Sequence, residues 1–292
     1  MRNTARQHGF TLVELIMVIV IIGVIGGMVA VFMKAPIDAY LDSGRRAALT
    51  DVADTVVRRI ARDLQGSLPN SIRTSNTGGA TPNNCVQFIP TRTGGRYRAT
   101  GAGRLDFTAG SSAFNMLGIN AGPIPADQWI VPGDVIVVYN LGFAPANAYT
   151  GGNTAIVGGA APSPDPAALI ETTIPLTSTV TFPLESASKR FHVVPGAERV
   201  VSYECIGSDL RRATSNVFPA TATCPLASPT TVSIIANNVA CTTTGTTTGT
   251  WFNYTGSDLQ RNALVSMGLT IRDSSGTESI TLQHEVHVSN TP

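Results

Sequence analysis

Glu14 is the one ionisable side chain in the apolar stretch from Phe10 to Met33. An isolated carboxylate in hydrocarbon costs roughly 2.5 to 3.5 kcal/mol on insertion scales, so it needs a partner. Neither Lys nor Arg lies between Phe10 and Met33 to supply one. A cut between Gly9 and Phe10 would create it, because Phe10 would then carry a free, cationic amine. That amine and Glu14 stand four residues apart, a spacing that shares one helical face. The pair could close within one chain. It could equally close between chains, where the carboxylate of an incoming subunit meets the terminal amine of the one before it and fixes axial register.

The element that must present these groups is a helix. About twenty apolar residues suffice to cross a bilayer, and the run meets only the permissive Gly23, Gly26 and Gly27 before Pro36. Proline removes a backbone donor and disfavours helical geometry before it, so a bend or melted turn is expected there. Helical periodicity then resumes. Leu49, Val52, Ala53, Val56, Val57, Ile60, Ala61 and Leu64 recur at steps of three and four, the pattern of an amphipathic helix. Asp54 with Arg58 and Arg59 with Asp63 sit at i,i+4 on the other face, spaced for ion pairs. Gln65-Gly66-Ser67-Leu68-Pro69 supplies the stop, with Gly66 as the expected left-handed cap. Phe10 to Gln65 would then be one helix of roughly 80 Å.

The remainder reads as strands. Cys85 to Pro90, Asp134 to Asn140, Phe191 to Val194, Arg199 to Cys205, Leu210 to Thr214, Thr231 to Ala236, Ala263 to Arg272 and Glu278 to Val288 are short runs rich in Val, Ile, Thr and aromatics. Val265, Met267, Leu269 and Ile271 alternate with a more polar set, and Ile206-Gly207-Ser208-Asp209 and Asp273-Ser274-Ser275-Gly276 read as hairpin turns. Strands following a single helix predict an α+β fold, with an antiparallel sheet laid on the amphipathic half. Ala144 to Pro166 is crowded with Ala, Gly, Pro and Asn and reads as a long surface loop, and Thr242 to Thr250 as a low-complexity tip.

Charged residues are 13% of the 292 and the net charge is +1, which leaves no broad basic field for nucleic acid. Arg45, Arg46, Arg58, Arg59 and Arg62 are interleaved with Asp42, Asp51, Asp54 and Asp63, so their field largely cancels and no nucleic-acid partner is expected. Arg2 and Arg6 hold the leader in the cytoplasm by the positive-inside rule, which puts the bulk of the chain outside it. There thiols oxidise. Cys85, Cys205, Cys224 and Cys241 form no C-x-x-C pair, so two disulfides are expected rather than zinc. Four cysteines allow three connectivities, among which sequence does not choose. The shorter loop, around a predicted hairpin, would pair Cys205 with Cys224 and leave Cys85 with Cys241.

An enzyme finds little support. The G-x-S-x-G spacing is absent, neither Lys34 nor Lys189 follows a glycine as a phosphate-binding loop requires, and Asp106 stands where a dinucleotide fingerprint begun at Gly101-Ala102-Gly103 needs its third glycine. His284 and His287 lie three apart in a predicted strand, hence on opposite faces, one toward the core. No catalytic residue, metal or cofactor is expected.

Gly9-Phe10-Thr11-Leu12-Val13-Glu14, with a short leader before it and an apolar run behind, resembles the processing motif of type IV prepilins and pseudopilins. The resemblance implies that a prepilin peptidase cuts after Gly9, that Phe10 becomes N-methylated, and that Glu14 guides assembly. It divides the chain into a leader, 1–9; a transmembrane and assembly half of the helix, 10–33; an amphipathic half, 34–66; and a periplasmic β-rich head, 67–292, in a pilin-like fold with two sheets. Arg58-Arg59-Ile60-Ala61-Arg62-Asp63-Leu64, Cys85-Val86-Gln87-Phe88-Ile89-Pro90, Val201-Ser202-Tyr203-Glu204-Cys205 and Leu282-Gln283-His284-Glu285-Val286-His287-Val288 are similar to MshO-like minor pilins of mannose-sensitive haemagglutinin (MSHA) pilus systems. They are more distantly similar to minor pseudopilins of type II secretion. A structural subunit at the tip or in initiation of a filament is implied. Its partners would be other pilin subunits, the peptidase and methyltransferase, and an inner-membrane assembly platform. It would lie in the inner membrane of a Gram-negative cell and then in the pilus. An adhesive tip module is the rival, for which the Thr-rich tip and the Ala-Gly-Pro loop speak.

Overall fold

The computed structural model describes residues 9–74, 83–122, 124–165, 168–221, 223, 225–241, 248–255 and 262–292. Helix α1 runs Leu12–Gln65, 54 residues, unbroken through Pro36. The melted turn expected at the proline is therefore absent: one missing donor is tolerated within a long helix. The chain forms two compact units, Met1–Ala48 and Leu49–Pro292, and α1 contributes to both.

Among the described residues, fourteen strands follow the helix. They are β1 Cys85–Phe88, β2 Thr93–Arg96, β3 Ser111–Leu117, β4 Val135–Val137, β5 Thr154–Ile156, β6 Ser163–Asp165 and β7 Ala168–Val180. Then come β8 Arg190–Val194, β9 Val200–Ile206, β10 Asp209–Ser215, β11 Thr231–Ala236, β12 Trp251–Thr255, β13 Asn262–Arg272 and β14 Ser279–Ser289. Instead of two sheets there are four, ordered β1-β9-β10-β11, β12-β13-β14, β2-β8-β4-β5 and β3-β7-β6. Every strand pairing is antiparallel.

The amphipathic stripe buries as its period requires. Ala53, Val56, Val57, Ile60, Ala61 and Leu64 are buried against Phe88, Val201, Tyr203, Met267 and Leu269, the inner faces of the first two sheets. Each fully buried Val, Ile or Leu contributes roughly 1.5 to 3 kcal/mol. Val52 alone departs from the stripe, at 47% exposed. Asp54 pairs with Arg58 at 2.6 Å as spaced. Asp63 does not take Arg59: it accepts from the Tyr203 hydroxyl at 2.8 Å and from Arg212 Nε at 3.2 Å, because the sheet brings stronger partners to it. The helix ends at Gln65, but Gly66 is not left-handed. Instead Ser67 N–H donates to Leu64 O at 3.1 Å and the chain turns into a bridge between Ser67 and Pro90.

A second core holds Phe114, Ile136, Ile174, Phe191 and Val193, and a third Leu68, Ile89, Val135, Val137 and Val194. Strand β4 thus feeds both, alternate residues to alternate sides. The described part of the segment 144–166, residues 144–165, is not a surface loop. It carries a 3-10 turn, Ala148–Thr150, and strands β5 and β6, and it buries Ala146, Tyr149, Asn153, Ala155 and Val157. Small residues serve close packing there: a Cβ on Gly152 would lie 2.4 Å from Pro145 O. Most of the Thr-rich tip, 242–247, lies outside the described residues.

Candidate functional site

The start of α1 is built by Thr11. Its carbonyl accepts from Leu15 N at 3.2 Å and its Oγ1 from Glu14 N at 3.3 Å. Thr11 is thus the N-cap, and Thr11-x-x-Glu14 has the form of a capping box. That signal is legible in the sequence, as a threonine three residues before a glutamate at the head of an apolar run. Glu14 lies in the first helical turn, where the helix dipole favours a negative charge by about 0.3 to 1 kcal/mol. Among the described residues its carboxylate has no ion-pair partner.

Because helical geometry begins at Leu12, Phe10 lies outside the helix. In the uncut chain Phe10 therefore does not share a helical face with Glu14. Pairing of Glu14 with a neighbouring subunit needs no such face.

Among the described residues of the first unit nothing packs on the helix. Between Leu12 and Met33 its large apolar side chains are exposed, from 47% at Val18 to 76% at Phe32. It is also long and apolar enough to cross a membrane. Asp42 and Arg45 form an ion pair at its more polar end. The leader, with Arg2, Arg6 and His8, lies outside the described residues apart from Gly9.

In the second unit the last turns of α1 are tied to the first sheet by polar groups. Arg212 bridges Asp63 and Glu198. Burial works against its charge, yet Glu198 holds its pKa above the usual value. Burial, and then the Asp63 carboxylate, push the Tyr203 phenol up. These groups tie the end of the helix to the sheet.

The cysteines pair otherwise than loop length suggested. Cys205 bonds Cys241, 36 residues away, with Cα atoms 5.4 Å apart. The ladder decides this: Val239 bridges to Ile271 and Cys241 to Thr250, which carries Cys241 to the first core beside Cys205. Cys85 is disulfide-bonded as well, and Cys224 lies outside the described residues. His284 and His287 are both exposed on β14, so neither faces a closed core. Among the described residues no group of three or more His, Cys, Asp or Glu could hold a metal ion.

Residues 4–30 match the family model for the prokaryotic N-terminal methylation motif, which supports a protein of type IV pilin or pseudopilin type. No curated protein and no solved structure matches the chain.

Proposed function

We propose that this chain is a minor pilin of a type IV filament, of MSHA type, acting in initiation or at the tip. The single observation that carries the reading is a Glu14 without an ion-pair partner among the described residues, at the capped start of the exposed apolar half of α1, inside a region that matches the methylation motif. Such a helix needs either lipid or other helices around it, since in water its large apolar surface would stay uncovered. A filament core of like subunits provides the second environment and the membrane the first.

In this reading a prepilin peptidase cuts between Gly9 and Phe10, the Phe10 amine is methylated, and Glu14 meets that amine on a neighbouring subunit. The compact second unit, Leu49–Pro292, is then the periplasmic head. Its size favours a tip over a regular shaft. The MSHA assignment rests on the residue patterns of the helix end, β1, β9 and β14. The Ala-Gly-Pro segment no longer speaks for an adhesin, since much of it is buried.

Mass spectrometry of the mature N-terminus tests the class: the expected product begins at methylated Phe10, and a chain starting at Met1 in cells that assemble filaments overturns it. Deletion separates initiation from adhesion. Few or no filaments are expected, whereas normal filaments that fail to adhere would assign the chain to adhesion.

A further inference from the structure

One edge of the β2-β8-β4-β5 sheet carries a charge arrangement that the fold alone does not require. Arg96, the last residue of β2, stands directly opposite Arg190 of β8. Like charges directly opposite in an antiparallel pair repel. The other arginines flanking β2 are neutralised, Arg92 by Asp134 and Arg98 by Glu171. Lys189 is closed on Glu185. Among the described residues, Arg96 and Arg190 have no such partner, and both are exposed.

The surface between them is held open. Gly94 pairs with His192 in the same register, two residues along from the arginines and on their face. A Cβ on Gly94, on the arginine face, would lie 2.9 Å from Phe191 O; one on Gly95 would point to the opposite, core face, 2.9 Å from Met116 Sδ and from the Phe191 ring. Side chains are thus excluded where the strands approach closely. The result is a cleft of about 450 Å³, bordered by Thr91, Thr93, the two glycines, the two arginines and His192. Burial, and then Arg190, hold the His192 imidazole below its ordinary pKa.

We infer that this cleft binds a tetrahedral oxyanion, a phosphate or sulfate group, between Arg96 and Arg190. Two cations at paired positions on one face of the sheet attract such an anion, and the planar donor forks of arginine match its oxygens. The group is either a free inorganic ion or an ester on a saccharide. The inference is independent of the assembly reading.

The test titrates full-length protein in detergent micelles, at low salt, with inorganic phosphate, inorganic sulfate and a sulfated oligosaccharide in separate arms. Saturable binding at one site is expected, and phosphate should raise the melting temperature. Arg96→Gln and Arg190→Gln should each weaken binding about tenfold or more, the cost of losing a charge-assisted contact. The double variant should lose both binding and the thermal shift, while Arg58→Gln, which removes an equal charge on α1, should change neither. Tighter binding of the oligosaccharide than of the ions assigns the site to a saccharide ester; equal or weaker binding assigns it to the free ion. Absence of saturation in every arm up to about 10 mM, or arginine variants that bind as the parent does, overturns the inference.

Discussion

Replacing Glu14 with Gln separates the place of this residue at the helix start from the assembly role proposed for it. Glu14 N–H is capped by Thr11 Oγ1 at 3.3 Å, and its carboxylate is free to meet a neighbouring subunit. Gln also suits the third position of a capping box, so the helix start should survive the change. What disappears is the ion pair. Two unit charges 4 Å apart at an effective dielectric of about 20 attract by about 4 kcal/mol. Desolvation of the carboxylate is present in the membrane before and after assembly and so cancels to first order. The lost attraction converts to roughly a thousandfold weaker incorporation, at about 1.4 kcal/mol per tenfold. Thr11→Ala, by contrast, removes a cap worth about 1 kcal/mol, and it does so equally before and after assembly, so incorporation should fall only slightly. The assay is the ratio of this subunit in sheared filaments to that in the membrane fraction. Parental incorporation of Glu14→Gln would refute the electrostatic account, as would a loss in Thr11→Ala as large as that in Glu14→Gln.

Two further perturbations address the second unit. Cys205→Ser with Cys241→Ser opens a bridge between residues 36 apart; the chain-entropy relation gives a loss of about 4 kcal/mol, read from the denaturant midpoint, and an unchanged midpoint would show that the bridge contributes nothing. The buried Glu171 is held below the usual carboxylate range, chiefly by the Arg98 guanidinium. Its folded pKa is therefore lower than its unfolded one, near 4.3. The stabilisation is complete above that value and is lost as pH falls through the folded pKa. Melting temperatures of parent and Glu171→Gln should accordingly differ at pH 7 and converge in acid, and a gap that stays constant down to pH 2 would exclude the linkage.

Periodicity made the helix legible. The stripe from Leu49 to Leu64 is written at three and four residue steps, and six of its members are buried. Strands rich in Val, Ile and Thr were legible for the same local reason: β11 occupies Thr231–Ala236 and β13 Asn262–Arg272, close to the predicted runs. Strand β2, Thr-Gly-Gly-Arg, was not, because two glycines carry no strand preference and are there to let β8 and Met116 approach. Strand β3, with Ser111 and Asn115, was hidden by polar residues that the fold buries. The segment 144–166 was misread because its alanines and glycines resemble a solvated loop until close neighbours are known.

By itself the amino-acid order determined the apolar helix, the anomaly of a lone acid near its head, and the α+β layout, since each follows from the types and spacing of residues near one another in the chain. Tertiary structure decided that Cys205 joins Cys241, that Asp63 answers Tyr203 and Arg212, and that Arg96 faces Arg190. Those outcomes depend on which strands become neighbours and in what register. That is a property of many weak long-range contacts acting together, and no local period records it.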